Sequence, residues 1–155
     1  ESLDLTKVID TLVQARYSKE LRTGKITIDT SGNMVVMADE QAIRSIVSNL
    51  IDNALKYTEH DDTVHISIIR NQAGTIIEVA DNGPGISSSE KNKVFNRFYR
   101  SGNEHTRNSK GTGLGLYIVN RLVQAHGATI VLKDNQPTGS IFQITFSEIP
   151  EQAPS

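Results

Sequence analysis

Apolar residues recur along this chain with two periods, so short strands and amphipathic helices succeed one another almost from end to end. Leu3 and Leu5 alternate with polar neighbours and predict a short strand. Val8, Ile9, Leu12, Val13 and Leu21 then fall at helical spacing, which predicts a helix over 6–21 before Gly24 stops it. Residues 25–30 alternate around Ile26 and Ile28, 31–33 read as a turn, and 34–37 return as a buried strand, together predicting a hairpin. Asp39 can cap a second helix, since Ile43, Ile46, Val47, Leu50, Ile51, Ala54 and Leu55 share one face up to Thr58. A second hairpin follows, with strands over 64–70 and 75–80 about the loop at 71–74. Ser87 and Glu90 match a capping box ahead of a short helix through Phe95 and Phe98. From 100 to 113 the chain is polar, carries three glycines and has no apolar period; a long loop of this kind often serves as a functional lid. A helix over 114–126 closed by Gly127, then strands over 129–132 and 140–146, complete the pattern. Hairpin links between the strands imply a two-layer α/β (α+β) sandwich, its mixed, largely antiparallel sheet carrying helices on one face.

Composition narrows what such a sandwich can do. With 155 residues and 37% hydrophobic content, one core forms without metal or disulfide staples, and one domain over 1–150 with a tail at 151–155 is expected. The 16 basic and 18 acidic residues leave a net charge of −2, without the basic surplus of a nucleic-acid binder. No cysteine is present, which excludes a thiol nucleophile and a zinc-cysteine site and fits a reducing compartment. No apolar run is long enough to span a bilayer, and the start lacks a signal-peptide pattern, so a cytoplasmic piece of a longer protein is expected.

Three groupings carry chemistry. On the second helix a step of about 100° per residue aligns Asn49, Asn53 and Lys56 at the border of the apolar arc. An amide oxygen there suits Mg²⁺ that shares its shell with phosphates, and the lysine can meet phosphate charge. Taken alone, the stripe is better explained as solvation of a helix flank. The second grouping, Asp81-Asn82-Gly83-Pro84-Gly85-Ile86, follows a buried strand. A strand-end carboxylate can accept from an exocyclic amine such as that of adenine, while glycines admit a flat ring. Taken alone, an ordinary Asn-Gly or Pro-Gly turn is the better reading. The third, Gly111-Thr112-Gly113-Leu114-Gly115-Leu116 after Lys110, opens a helix, where backbone amides and the helix dipole form a phosphate cradle. Its glycine spacing fits neither a Rossmann fingerprint nor a P-loop. A glycine-rich linker explains it poorly, because the glycines run into the amphipathic positions Ile118, Val119, Leu122 and Val123.

In this order the groupings resemble the N, G1 and G2 boxes of the Bergerat-fold ATPases, the superfamily of DNA gyrase, Hsp90, histidine kinases and MutL. Residues 94–100, Val-Phe-Asn-Arg-Phe-Tyr-Arg, resemble the F box of histidine kinases, and residues 49–58 are similar to the kinase N box. The resemblance covers 3–146 and identifies the chain as the catalytic, ATP-binding domain of a sensor histidine kinase. It implies ATP and Mg²⁺ as cofactors, with Asn53 on the metal and Asn49, Lys56 and Tyr57 beside the phosphates and ribose. Asp81 would accept from the adenine amine, with Gly83, Gly85 and Ile86 shaping its pocket. Lys110, Gly111, Thr112, Gly113, Leu114, Gly115 and Leu116 would form the lid hinge and phosphate contacts, helped by Arg97. Phe95 and Phe98 fit either core packing or docking on partner helices. In the last box, residues 138–142, one glycine stands where many relatives have two, which leaves Gly139 without an assigned role.

Hydrolases of the superfamily place a glutamate where this chain has Asn49. A neutral amide cannot take a proton from water, which disfavours hydrolysis and leaves transfer to a separate nucleophile, with Asn49, Lys56 and Lys110 as catalytic candidates. The four histidines, His60, His65, His105 and His126, lack a helical acceptor context. The acceptor histidine is therefore expected on an upstream dimerisation hairpin. A response-regulator receiver domain would be the further partner, in the cytoplasmic portion of a membrane-anchored bacterial receptor. The isolated piece would be a monomer that touches neither nucleic acid nor membrane. The alternatives are a stand-alone ATPase or serine kinase of the same fold, and a pseudo-kinase that only senses nucleotide.

Overall fold

A computed structural model describes residues 1–30, 32, 34–96 and 115–147. The elements run β1 (Ser2–Asp4), α1 (Leu5–Arg16), α2 (Ser18–Thr23), β2 (Ile26–Thr30), β3 (Val35–Met37), α3 (Glu40–Tyr57), β4 (Val64–Asn71), β5 (Gly74–Asp81), α4 (Ser88–Lys91), α5 (Gly115–Ala125), β6 (Thr129–Asp134) and β7 (Ser140–Phe146). Five strands form the main sheet in the order β2-β4-β5-β7-β6, with β2 and β4 parallel and the other pairs antiparallel. Alternation decides which face is covered: Val64, Ile66 and Ile68 of β4, and Ser140, Phe142, Ile144 and Phe146 of β7, point into the core. Against them lie Ile43, Ile46, Leu50 and Ile51 of α3 and Val119 and Val123 of α5, all fully buried. Each such aliphatic side chain contributes roughly 1.5–3 kcal/mol of transfer free energy. This is the expected mixed sheet with helices packed on one face.

Helix α3 starts where its cap predicts, with the Asp39 carboxylate accepting from Ala42 N at 3.0 Å. His126, just after α5, ties that helix to the start of α3. Its Nε2 accepts from Asp39 N at 3.2 Å while Nδ1 lies 2.8 Å from the Leu122 carbonyl.

Three expectations from the pattern are corrected. The strands at 25–30 and 34–37 are not a hairpin: β2 pairs with β4, whereas β3 pairs antiparallel with β1 in a separate two-stranded sheet. Period-two alternation reveals a strand but not its partner. Ile26 is fully buried in the main core, whereas Val35 and Met37 of β3 stay 47% and 64% exposed and Val36 between them packs only partly against it. The first helix breaks into α1 and α2 at Tyr17, whose hydroxyl donates to Asp52 Oδ1 at 2.7 Å. That anchor to α3 outweighs continuation of the helix, and burial beside the Asp52 carboxylate holds the phenol above its ordinary range. The capping box does not form either. Ser87 Oγ donates to the Glu90 carboxylate at 3.2 Å instead of capping a backbone amide, and α4 ends at Lys91.

Candidate functional site

Asn49 and Asn53 lie half-buried on α3, and Lys56 is exposed one turn on. The Asn49 amide is held by its own helix, since Nδ2 donates to the Ser45 carbonyl at 2.7 Å and reaches Ser45 Oγ at 3.3 Å. Its Oδ1 faces the first residue of α5. A methyl group on Gly115 would stand 3.1 Å from that oxygen, so the missing Cβ lets the α5 N-terminus approach the asparagine. Gly115, the first described residue of α5, therefore brings that end of the helix, where the dipole favours anions, beside the amide stripe.

Eight residues further along α3, about 12 Å of helix, Tyr57 and Thr58 press on the loop after β5. A methyl on Gly83 would lie 3.0 Å from the Tyr57 carbonyl and 3.3 Å from Asp81 Oδ1. Asp81 ends β5 and is 7% exposed. Its Oδ1 accepts from Gly83 N at 3.0 Å and Ser140 N at 3.4 Å, and no described residue donates to Oδ2. Burial pushes this carboxyl above its ordinary range, the Gly83 and Ser140 amides pull it back, and the charge of Asp62 adds to the rise. A buried carboxylate with one oxygen engaged and the other open can take a further donor.

The stripe of Asn49, Asn53 and Tyr57 thus runs along one helix from Gly115 at one end to Gly83 and Asp81 at the other. Gly85, at φ 86°, sits where a methyl would be 3.2 Å from the Gly139 carbonyl. Ile86 and Leu116 are half-buried and pack on the core. The Lys56 ammonium lies 5.3 Å from the Tyr57 ring centroid. Arg97, Lys110, Gly111, Thr112, Gly113 and Leu114 lie outside the described residues, as do Phe98 and the loop at 100–110. Phe95 is partly buried and packs edge-on against Phe142 of the core, with centroids 6.0 Å apart. His65 is engaged by Thr27 Oγ1 at 2.6 Å, His60 is exposed in the loop after α3, and His105 is outside the described residues.

Gly139 has a role that its sequence context did not reveal. At φ 109° it packs on the Asp81 carbonyl so closely that a Cβ would overlap that oxygen. Only a contact between positions distant in sequence creates this need. Asn49 also borders a polar groove of about 450 Å³ between α1 and α3, lined by Arg16, Arg44, Ser48 and Asp52. Among the described residues no helix is long and apolar enough to cross a membrane.

Residues 38–150 match the family model of histidine kinase-, DNA gyrase B-, and HSP90-like ATPases. The sensor protein CiaH of Streptococcus pneumoniae is 38% identical over 120 residues, covering 77% of this chain and 26% of CiaH. The chain therefore spans about a quarter of that relative's length. Among solved structures, the mycobacterial sensor histidine kinase MprB superposes with a TM-score of 0.75 at 30% identity, over 93% of this chain and 94% of the other. Full-length ShkA, solved in complex with AMPPNP, gives a TM-score of 0.73 at 25% identity, over 95% of this chain and 32% of ShkA. The match over residues 38–150 and the near-complete overlap with MprB agree: this chain belongs to the histidine kinase-, DNA gyrase B-, and HSP90-like ATPase family, as an ATP-binding catalytic domain of the sensor histidine kinase type.

Proposed function

We propose that the chain binds Mg-ATP along the α3 stripe and gives the γ-phosphoryl group to a histidine on a helical dimerisation domain of a longer, cytoplasm-facing sensor kinase. The observation that carries this reading is the convergence of Asn49 with Gly115, and of Tyr57 with Gly83 and Asp81, along one side of one helix. A base whose exocyclic amine meets Asp81 Oδ2 would lay its phosphates toward Asn53 and the start of α5. AMPPNP in the ShkA structure supports an adenosine triphosphate as the ligand.

Magnesium fits the donor set. Among the described residues no three His, Cys, Asp or Glu cluster to hold a metal alone. A cation beside Asn53 would take that amide oxygen and complete its shell with phosphate oxygens and waters, as Mg²⁺ commonly does. When bound it would neutralise charge on the phosphates. Lys56, Lys110 and Arg97 are the cations we assign to the same task, with Gly111, Thr112, Gly113 and Leu114 in the hinge beside Gly115.

Asn49 bears on the acceptor. Water must lose a proton as it attacks, which calls for a base that an amide cannot supply. An unprotonated imidazole nitrogen attacks with its own lone pair: the N–P bond forms, the bond to the β–γ bridging oxygen breaks, and ADP leaves. Orientation and charge neutralisation suffice for that step. A receiver domain would then accept the phosphoryl group from the histidine.

The test uses the full-length protein and γ-labelled ATP. The label should become alkali-stable and acid-labile on a histidine outside this chain, and Asn53→Ala should slow its Mg²⁺-dependent formation by at least about 10- to 100-fold, the cost of losing even a residue that only supports a metal ligand. Steady phosphate release by the chain alone, with no labelled histidine in the full-length protein, would replace this reading with that of an ATPase.

A further inference from the structure

The sheet ladder between β5 and β7 stops one residue short of the candidate site. Its last pair is Ala80 with Ile141, so Asp81, the next residue, has no partner on β7 in that ladder. The turn joining β6 to β7 takes over. Asn135 Nδ2 donates to the Asp81 carbonyl at 2.8 Å, and Thr138 Oγ1 donates to the Asn82 carbonyl at 3.1 Å. Ser140 N completes the grip on Asp81 Oδ1. Asn135 is itself locked by both ends of its residue: its N–H donates to the Gly139 carbonyl at 3.0 Å, and its Oδ1 accepts from Gln136 N at 2.8 Å. With Oδ1 so engaged, Nδ2 must face Asp81. The absence of a Cβ on Gly139 lets the turn close on the same carbonyl.

We infer that Asn135 is a positioning residue for base recognition: by holding the Asp81 backbone it fixes where the open Oδ2 meets the exocyclic amine of a purine. The inference rests on the nucleotide reading above and deepens it. Hydrogen bonds weaken steeply as their angle and distance degrade, so a carboxylate that drifts with its backbone loses the amine contact before it loses anything else. Contacts to the sugar, phosphates and ring face do not pass through Asp81 Oδ2. Asn135 should therefore govern discrimination between bases rather than nucleotide affinity in general.

The experiment compares binding of ATP and of purine riboside triphosphate, which lacks the exocyclic amine, to the purified chain by calorimetry. Wild type should prefer ATP by about tenfold or more, the worth of one hydrogen bond to a charged group. Asn135→Ala should bring that ratio down to about 1–3, by weakening ATP binding and leaving the analogue within about twofold. Asn135→Asp keeps the side-chain volume and an oxygen for Gln136 N but removes the donor; it should behave alike, and it decides the question should Asn135→Ala fail to fold. A ratio that survives in the folded variant, or an equal loss for both ligands, overturns the positioning role while the nucleotide reading stands. A wild type without preference overturns both.

Discussion

Replacing Asp81 with asparagine should weaken ATP binding by about 10- to 100-fold and leave the domain as stable as wild type, or more so, at neutral pH. The first half follows from the open oxygen. A hydrogen bond from an amine to a buried carboxylate is worth about 1.5–3 kcal/mol, and an amide presenting its NH₂ group there opposes a donor with a donor. The second half follows from burial. Asp81 is 7% exposed with its carboxyl raised above the ordinary range, so the folded protein binds a proton over a pH window in which the unfolded chain has lost it. Stability then falls as pH rises through that window. Asp81→Asn removes the titration while its Oδ1 still accepts from Gly83 and Ser140. Thermal melts from acid to neutral pH should show the variant gaining on wild type as pH rises, and calorimetry should show the affinity loss at neutral pH. A variant that loses stability steadily toward neutral pH would mean that the carboxylate is held by partners stronger than those two amides.

Gly139→Ala should be the most damaging single methyl added at the site. The position combines φ 109° with a would-be Cβ that overlaps the Asp81 carbonyl oxygen. Left-handed strain costs about 1–3 kcal/mol for a residue with a side chain, and relieving the overlap by moving backbone costs about as much again. Together these correspond to a fall in melting temperature of roughly 5–15 °C for a domain of this size. Because the displaced backbone is that of Asp81, ATP affinity should fall as well. Gly24→Ala provides the control: φ is 81° there, but nothing stands within 4 Å of its Cβ position, so only the strain should register. Equal melting temperatures for the two variants would show that the turn yields without cost and that close packing on Asp81 is unimportant.

These two residues show how far the sequence could be read. The α3 stripe and the start of α5 were legible because a helix of known period turns spacing into geometry: Asn49 and Asn53 fall beside an apolar arc whatever the rest of the chain does. Asp81 was legible as a polar residue ending a buried strand just before glycines. Gly139 and Asn135 were not, since a glycine or asparagine between two strands is first of all a turn residue, and their closeness to Asp81 exists only once β5, β6 and β7 share a sheet. The same limit explains the misjudged hairpin. Alternation in Ile26 to Ile28 and in Met34 to Met37 identifies strands, but the parallel partner of β2 lies across the whole of α3. Tyr17 belongs to this class too, because its helix-breaking bond to Asp52 joins residues 35 positions apart.

That Asn53, Asp81 and Gly115 serve one nucleotide is best examined by titrating isotope-labelled chain with Mg²⁺ and AMPPNP and following the backbone amide resonances. Shifts should concentrate at Gly83, Ser140, Asn53 and Gly115 and saturate together at one ligand per chain. Shifts confined to another surface, such as the α1–α3 groove around Arg16 and Arg44, or separate saturation at the two ends of the α3 stripe, would contradict a single shared pocket.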